Sequence, residues 1–379
     1  MLNTSNPYTD KTIVSKLAHA IACEAPAHNI KIMHVCGTHE NAISKAGLRG
    51  LLPENVEVIA GPGCPVCVCP DADINLAIEI AVKHKAILAT FGDMMRVPST
   101  NGSLQDAKAN GADVRAVYSP FDALKIAMGN PEKEVVFFAV GFETTACGVA
   151  ALIQKGAPEN LSILASHRLI PPSMEFLLGV GDLHIDGFLV PGHVTTVMGL
   201  KEYKIFPEAY RMPTVTAGFE PVDILLGILK ILRQINKGAA QCENAYQRAV
   251  EPEGNLKAQK AIADVFDVAP AYWRGIGRIP RSGLALKERY SRYDARCRLN
   301  PPVSPFNKGG QKGDFTKGGE LDINPGCSCH LIMIGKIKPT ECPMFGKGCL
   351  PEKPYGPCMV SMDGTCRIWH RYGHAAKNT

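Results

Sequence analysis

The sequence predicts an α/β protein: two small parallel-sheet α/β domains in tandem, followed by a helical, cysteine-rich C-terminal region. Three observations predict it. Over residues 12–220, short apolar runs alternate with amphipathic stretches, the pattern of parallel sheets covered by helices. Polar, glycine-bearing residues follow strand after strand, and in open α/β sheets that edge is where ligands bind. Beyond residue 220 the alternation stops, and cysteines gather between 327 and 366.

Residues 12–30 read as a helix leading into a strand over 31–35, which ends in Cys36-Gly37-Thr38-His39-Glu40. Thiol, imidazole and carboxylate lie within five residues, a set that fits a nucleophile, a metal ligand or a chance cluster. A second apolar run, 56–60, opens into Gly61-Pro62-Gly63-Cys64-Pro65-Val66-Cys67-Val68-Cys69-Pro70. Proline fixes φ and glycine permits tight turns, so this stretch reads as a rigid, exposed loop. Asp71 and Asp73 then suit a helix start. Thiols placed near a helix N-terminus are expected to favour the thiolate.

The same rhythm continues. Strands are expected at 86–90, 114–117, 134–140, 161–165, 187–190 and 213–216, with a helix over 121–128. After them come Phe91-Gly92-Asp93-Met94-Met95-Arg96-Val97-Pro98, Gly141-Phe142-Glu143-Thr144-Thr145, Ser166-His167-Arg168, Pro191-Gly192-His193-Val194 and Ala217-Gly218-Phe219-Glu220. Singly, Asp93 and Glu143 read as helix caps. Their recurrence places Cys36, Cys64, Asp93, Glu143 and His193 on strand ends that can face one cleft. No loop has the pattern of a phosphate cradle. The expected domains are 1–130, 131–220 and 221–379.

In the last region, residues 223–236, 244–250 and 255–266 read as helical, and 272–280 as a turn-rich connector. Residues 301–320 are low-complexity, with Phe306-Asn307-Lys308-Gly309-Gly310 echoed by Phe315-Thr316-Lys317-Gly318-Gly319. They read as a surface insertion. Cys327, Cys342, Cys349 and Cys366 then come singly from separated loops, whereas structural zinc usually uses close pairs. Four such thiolates favour a [4Fe–4S] cube. Cys329 and Cys358 remain and can form a pair beside it.

Composition narrows the classes. The chain of 379 residues is 46% hydrophobic and 20% charged, with a formal net charge of +5, a globular balance. No Lys/Arg block with interleaved aromatics marks a nucleic-acid surface. No apolar run approaches the roughly 20 residues that span a bilayer, and residues 1–11 lack an apolar signal core. A cytoplasmic protein is therefore expected, in which 14 cysteines argue for metal or catalytic thiols over a disulfide framework.

Taken together, the motifs at Cys36, Cys64, Asp93, Glu143 and His193, with the C-terminal cysteines, resemble the HypD family of [NiFe]-hydrogenase maturation factors. The resemblance covers nearly the whole chain. It implies a scaffold that, with the small chaperone HypC, holds an iron atom while cyanide and carbon monoxide are attached. HypE, charged by HypF, delivers the cyanide, and the Fe(CN)2CO unit passes to the hydrogenase large subunit. By motif match, Cys36 holds this iron, and Cys64 and Cys67 are paired cysteines that bind iron or cycle as a dithiol. His39, Glu143 and His193 join them as expected catalytic residues, with His39 expected to help hold Cys36 as a thiolate. Cys327, Cys342, Cys349 and Cys366 match the cluster ligands, and Cys329 and Cys358 a redox pair beside it. Cys69 is an extra thiol, and 301–320 is not a family feature. Two other classes compete: an iron–sulfur-dependent thiol–disulfide oxidoreductase acting alone, and a zinc-stabilised binding module.

Overall fold

Each apolar run identified as a strand from residue 30 to 217 is one. The strands are β1 (Ile30–His34), β2 (Val56–Ala60), β3 (Ile87–Phe91), β4 (Val114–Val117), β5 (Val135–Gly141), β6 (Leu161–His167), β7 (Gly187–Pro191) and β8 (Thr214–Ala217). Three more follow: β9 (Cys242–Asn244), β10 (Phe266–Trp273) and β11 (Gly277–Leu286). The computed structural model describes residues 6–299 and 322–373, so the 301–320 stretch lies outside the described residues.

Two parallel sheets result, ordered β2-β1-β7-β8-β9 and β4-β3-β5-β6. Strands β5, β7 and β8 are buried along their whole length. That explains their unbroken apolar composition, since a parallel sheet is covered on both faces.

The sheets do not follow the expected cuts near 130 and 220. The chain lays down β1 and β2, leaves to build the whole second sheet, then returns with β7 beside β1 in the register Ile32 to Gly187. Strand β3 pairs with β5 across residue 130. The rhythm of strand and helix reveals each unit but not its neighbour in the sheet.

Region 221–299 contains more strand than expected. The connector 272–280 is the tip and start of the antiparallel hairpin β10-β11, closing between Trp273 and Gly277. Its register shifts at Pro270, which has no N–H to donate. Residues 244–250 are not a helix. The Asn244 side chain accepts from the Tyr246 amide at 2.8 Å and turns the chain instead. The helices Pro221–Asn236 and Leu256–Val265 form as expected.

The C-terminal segment has little regular structure beyond Cys329–Met333 and Thr365–Tyr372. It is not a separate lobe. Cys327, Cys329, Met333, Cys358 and Cys366 share one apolar core with Met33, Val35, Cys64 and Cys67. Among the described residues no helix is long and apolar enough to cross a membrane.

Candidate functional site

Cys36 follows β1 by two residues and stands at the N-cap position of the helix Gly37–Lys45. The Cys64 loop is laid directly on it. Gly61 donates to the His34 carbonyl at 2.8 Å, and Gly37 donates to the Gly63 carbonyl at 3.2 Å. Two glycines are needed for this approach. A β-carbon at Gly63 would lie 2.1 Å from the Cys36 nitrogen, and one at Gly37 would lie 2.3 Å from the Asp363 carbonyl oxygen. The two strand-end motifs and the C-terminal segment therefore meet at one point.

The Cys64 loop is buried, not exposed as its proline and glycine content suggests: Cys67, Val68 and Cys69 are each 1% exposed or less. Its cover comes from far along the chain. Arg274 donates its amide to the Val68 carbonyl at 2.9 Å, and the Pro357 carbonyl lies 3.9 Å from Cys67 Sγ. Cys64 and Cys67 are joined as a disulfide. Cys69 is free and turned away, 3.7 Å from Ser166 Oγ, which in turn donates to Asp73 at 2.6 Å.

Cys36, Cys64, Cys67 and Cys358 line one narrow cleft, together with Asp363 and Thr365. Its free space of about 10 Å³ suits a single water-sized occupant. A larger groove of about 660 Å³ runs along β2 and has no cysteine in its wall.

The expected thiolate at Cys36 is not what the protein alone favours. Burial pushes the thiol up to about 12, outweighing the His39 and Thr38 amides that lower it, and the Asp363 charge adds to the rise. Nor does His39 assist. Its Nε2 sits 2.9 Å from the Gly218 carbonyl and 3.2 Å from that of Ala217, so it donates there and ties the helix Gly37–Lys45 to the end of β8. Burial, then the neighbouring His34, brings His39 down to about 3. A cation in the cleft would reverse the balance at Cys36, because a metal-bound thiol gives up its proton.

Glu143 and His193 do not line this cleft. Glu143 Oε1 accepts from the Ile170 amide at 2.9 Å, while Oε2 is buried without a partner. Burial raises Glu143 to about 7, above the pull of the Glu143 and Ile170 amides. His193 packs on Phe219, and burial lowers it to about 4. Asp93 holds the C-terminal segment, accepting from Ser361 Oγ at 2.8 Å and the Met362 amide at 3.2 Å.

One group at the site has partners that sequence reasoning misses. The fully buried Glu40 meets His34 Nε2 at 2.7 Å and accepts from Arg49 at 2.8 and 2.9 Å, Ser44 at 2.8 Å and Trp369 Nε1 at 2.8 Å. Burial opposes its charge, but Arg49 and His34 outweigh it and hold the carboxyl well below the usual range. Glu40 thus fastens the Cys36 helix to the helix carrying Cys366. Its place in the Cys36 motif was visible, but Trp369 lies 329 positions away.

All six C-terminal cysteines are buried. Cys327 and Cys329 Sγ atoms are 3.1 Å apart, and Cys329 is within hydrogen-bonding reach of Cys358 and Cys366. Hydrogen bonds from Cys329 and Cys366 hold Cys358 well below the ordinary thiol value. Cys349 accepts from the Tyr355 amide at 3.4 Å. Gly356 packs tightly on this group: a β-carbon there would lie 2.6 Å from Cys329 Sγ and 2.7 Å from Cys327 Sγ. Buried thiols gathered against Gly356, with an amide on one sulfur, are of the donor type that a thiolate-held cluster needs. Among the described residues, no three His, Cys, Asp or Glu side chains already stand in ligating geometry.

Comparison with known proteins identifies the family. The family described as "HypD: Hydrogenase formation hypA family" matches residues 12–373. A hydrogenase maturation factor HypD of Rhizobium leguminosarum bv. viciae is 44% identical over 379 residues, covering 97% of this chain and 94% of the relative. The hydrogenase maturation factor HypD2 of Bradyrhizobium diazoefficiens is 43% identical over 381 residues, covering 97% and 96%. One from Cupriavidus necator is 41% identical over 378 residues, again covering 97% and 96%. With a family match over nearly the whole chain and relatives of this identity along it, the chain belongs to the HypD family.

Proposed function

We propose that this protein serves [NiFe]-hydrogenase maturation as the scaffold on which the Fe(CN)2CO unit is assembled. Iron is the cargo. Cys36 holds it from the protein's side, and a small chaperone of the HypC kind supplies a second thiolate. HypE, charged by HypF, delivers cyanide. The observation that carries this reading is the single cleft lined by Cys36, Cys64, Cys67 and Cys358. Soft thiolate donors suit low-spin iron with cyanide and carbon monoxide ligands.

Cys327, Cys342, Cys349 and Cys366 are the residues that would hold a [4Fe–4S] cluster. Such a cluster supplies electrons when bound. The chain's own thiols then have defined tasks. The disulfide of Cys64 and Cys67 takes up two electrons and two protons to become a dithiol. Cys329 and Cys358 lie in reach of one another, and Pro357, beside Cys358, touches Cys67. That contact supports a route from one pair to the other and on to iron at Cys36. Burial of the Cys64–Cys67 disulfide weighs against an oxidoreductase acting alone, because a separate dithiol substrate has no approach to it.

Metal analysis of the anaerobically purified chain tests the reading. About four iron atoms per chain in the cluster, with broad visible absorption, are expected. A colourless protein holding zinc would contradict it.

A further inference from the structure

His34 ends β1, two residues before Cys36. Side chains alternate along extended backbone, and Cys36 keeps it, with φ −154° and ψ 126°, so the two residues share one face. Both line the narrow cleft that has Cys64, Cys67 and Cys358 in its wall. His34 is 1% exposed, and its two ring nitrogens are used differently. Nε2 lies 2.7 Å from Glu40 Oε2. Nδ1 is buried and has no hydrogen-bond partner among the described residues. Other buried side chains share that lack, His39 among them, but His34 alone of them lines the cleft.

The Glu40 bond decides what Nδ1 offers. The other partners of that carboxylate all donate to it: Arg49 at 2.8 and 2.9 Å, Ser44 at 2.8 Å and Trp369 Nε1 at 2.8 Å. The acid acts as a pure acceptor, so the hydrogen shared with His34 sits on Nε2. The bond made by one imidazole nitrogen sets what the other presents. Here Nδ1 presents a lone pair, because a second hydrogen on it would be a buried donor with nothing to accept it, which is costly. A ring braced by a carboxylate, with its other nitrogen bare, is the arrangement in which histidine holds a metal. Imidazole suits iron, as thiolate does. Of the sulfur atoms in the cleft wall, those of Cys64 and Cys67 are spent on one another.

We infer that His34 is a second ligand from this chain to the iron at Cys36, binding through Nδ1 while Glu40 fixes the ring. This rests on the reading of Cys36 as the residue that holds iron. One thiolate alone is a single, exchangeable bond. Thiolate and imidazole at one strand end form a chelate, which retains the ion before a chaperone adds its own thiolate.

Cobalt(II) is the probe, because its X-ray absorption edge is separate from that of any cluster iron. The full chain, purified anaerobically, is titrated with cobalt(II) as wild type, His34→Gln and Cys36→Ala. Gln carries an amide nitrogen that can serve Glu40, and it removes the Nδ1 lone pair. Two quantities are read for the cobalt that Cys36→Ala fails to bind: its Kd and its X-ray absorption fine structure. The wild type is expected to show sulfur together with the outer scattering of an imidazole. His34→Gln is expected to keep the sulfur, lose the imidazole scattering and bind at least about tenfold more weakly. Wild-type cobalt with sulfur but no imidazole overturns the inference and leaves the Cys36 reading standing, as does a His34→Gln variant equal to wild type in both readouts. Cobalt bound equally by Cys36→Ala, or not bound by the wild type at all, overturns the Cys36 reading and the inference with it. Should His34→Gln fail to fold, the wild-type spectrum decides alone.

Discussion

Gly63 packs directly on the backbone of Cys36, so closely that a side chain of even one carbon at Gly63 would fall 2.1 Å from the Cys36 nitrogen. The contact is backbone against backbone, and neither side can rotate away. Gly63→Ala is therefore expected to separate the Cys64 loop from the Cys36 strand end. Overpacking of this kind costs typically about 1–3 kcal/mol. A lowered Tm with loss of iron retention is expected, and an unchanged Tm would show that the loop is free to shift.

Glu40 and Trp369 test the fastening of the C-terminal segment. Trp369→Phe removes one hydrogen bond to a buried carboxylate, worth about 1.5–3 kcal/mol. Glu40→Gln leaves His34 and Arg49 without their anion, and breaking such a buried pair costs about 3–5 kcal/mol. Denaturant unfolding should rank wild type above Trp369→Phe, and Trp369→Phe above Glu40→Gln. Reversal of the two variants would mean that the indole, not the carboxylate, organises the network.

Glu143 gives a pH signature. With its carboxyl raised by burial from 4.5 to about 7, the folded chain holds more protons than the unfolded chain between those values. Stability from this group is full below about pH 4.5 and is lost as pH rises through 7, by about 3 kcal/mol. The buried His39 and His167 and the half-buried His193, all lowered, act in the opposite sense below pH 6.5. The difference between wild type and Glu143→Gln isolates the carboxyl. The variant is expected to gain on the wild type between pH 5 and 8. Parallel denaturant midpoints across that range would place Glu143 in water.

The three thiols of one loop should separate by role. Cys64→Ala and Cys67→Ala are expected to leave iron content at the C-terminal cysteines unchanged and to abolish hydrogenase maturation in a host lacking its own factor. Cys69→Ser, turned toward Ser166 and away from the disulfide, is expected to keep most of it. Full maturation with Cys64→Ala would refute the thiol route.

Strands were legible because their apolar runs are continuous and end in glycine or proline. The Cys36 and Cys64 loops were also placed correctly at strand ends. Sheet membership was not legible: β1 meets β7 through residues 155 positions apart, Ile32 and Gly187, and nothing local encodes that. The hairpin β10-β11 was hidden by Pro270 and Pro280, which interrupt a strand pattern. Composition suggested exposure for the Cys64 loop, yet what covers it, Arg274 and Pro357, arrives only in the fold. For the same reason His39 read as a helper to Cys36, when two distant carbonyls hold its ring elsewhere.

The central claim is that Cys36 grips the iron on which the diatomic ligands are assembled. Its most direct test is infrared spectroscopy on the chain co-purified anaerobically with its small chaperone, for wild type and Cys36→Ala. The wild-type complex should show cyanide and carbon monoxide stretches. The variant should lose them while its C-terminal cysteines keep their iron. Undiminished bands from Cys36→Ala would contradict the account.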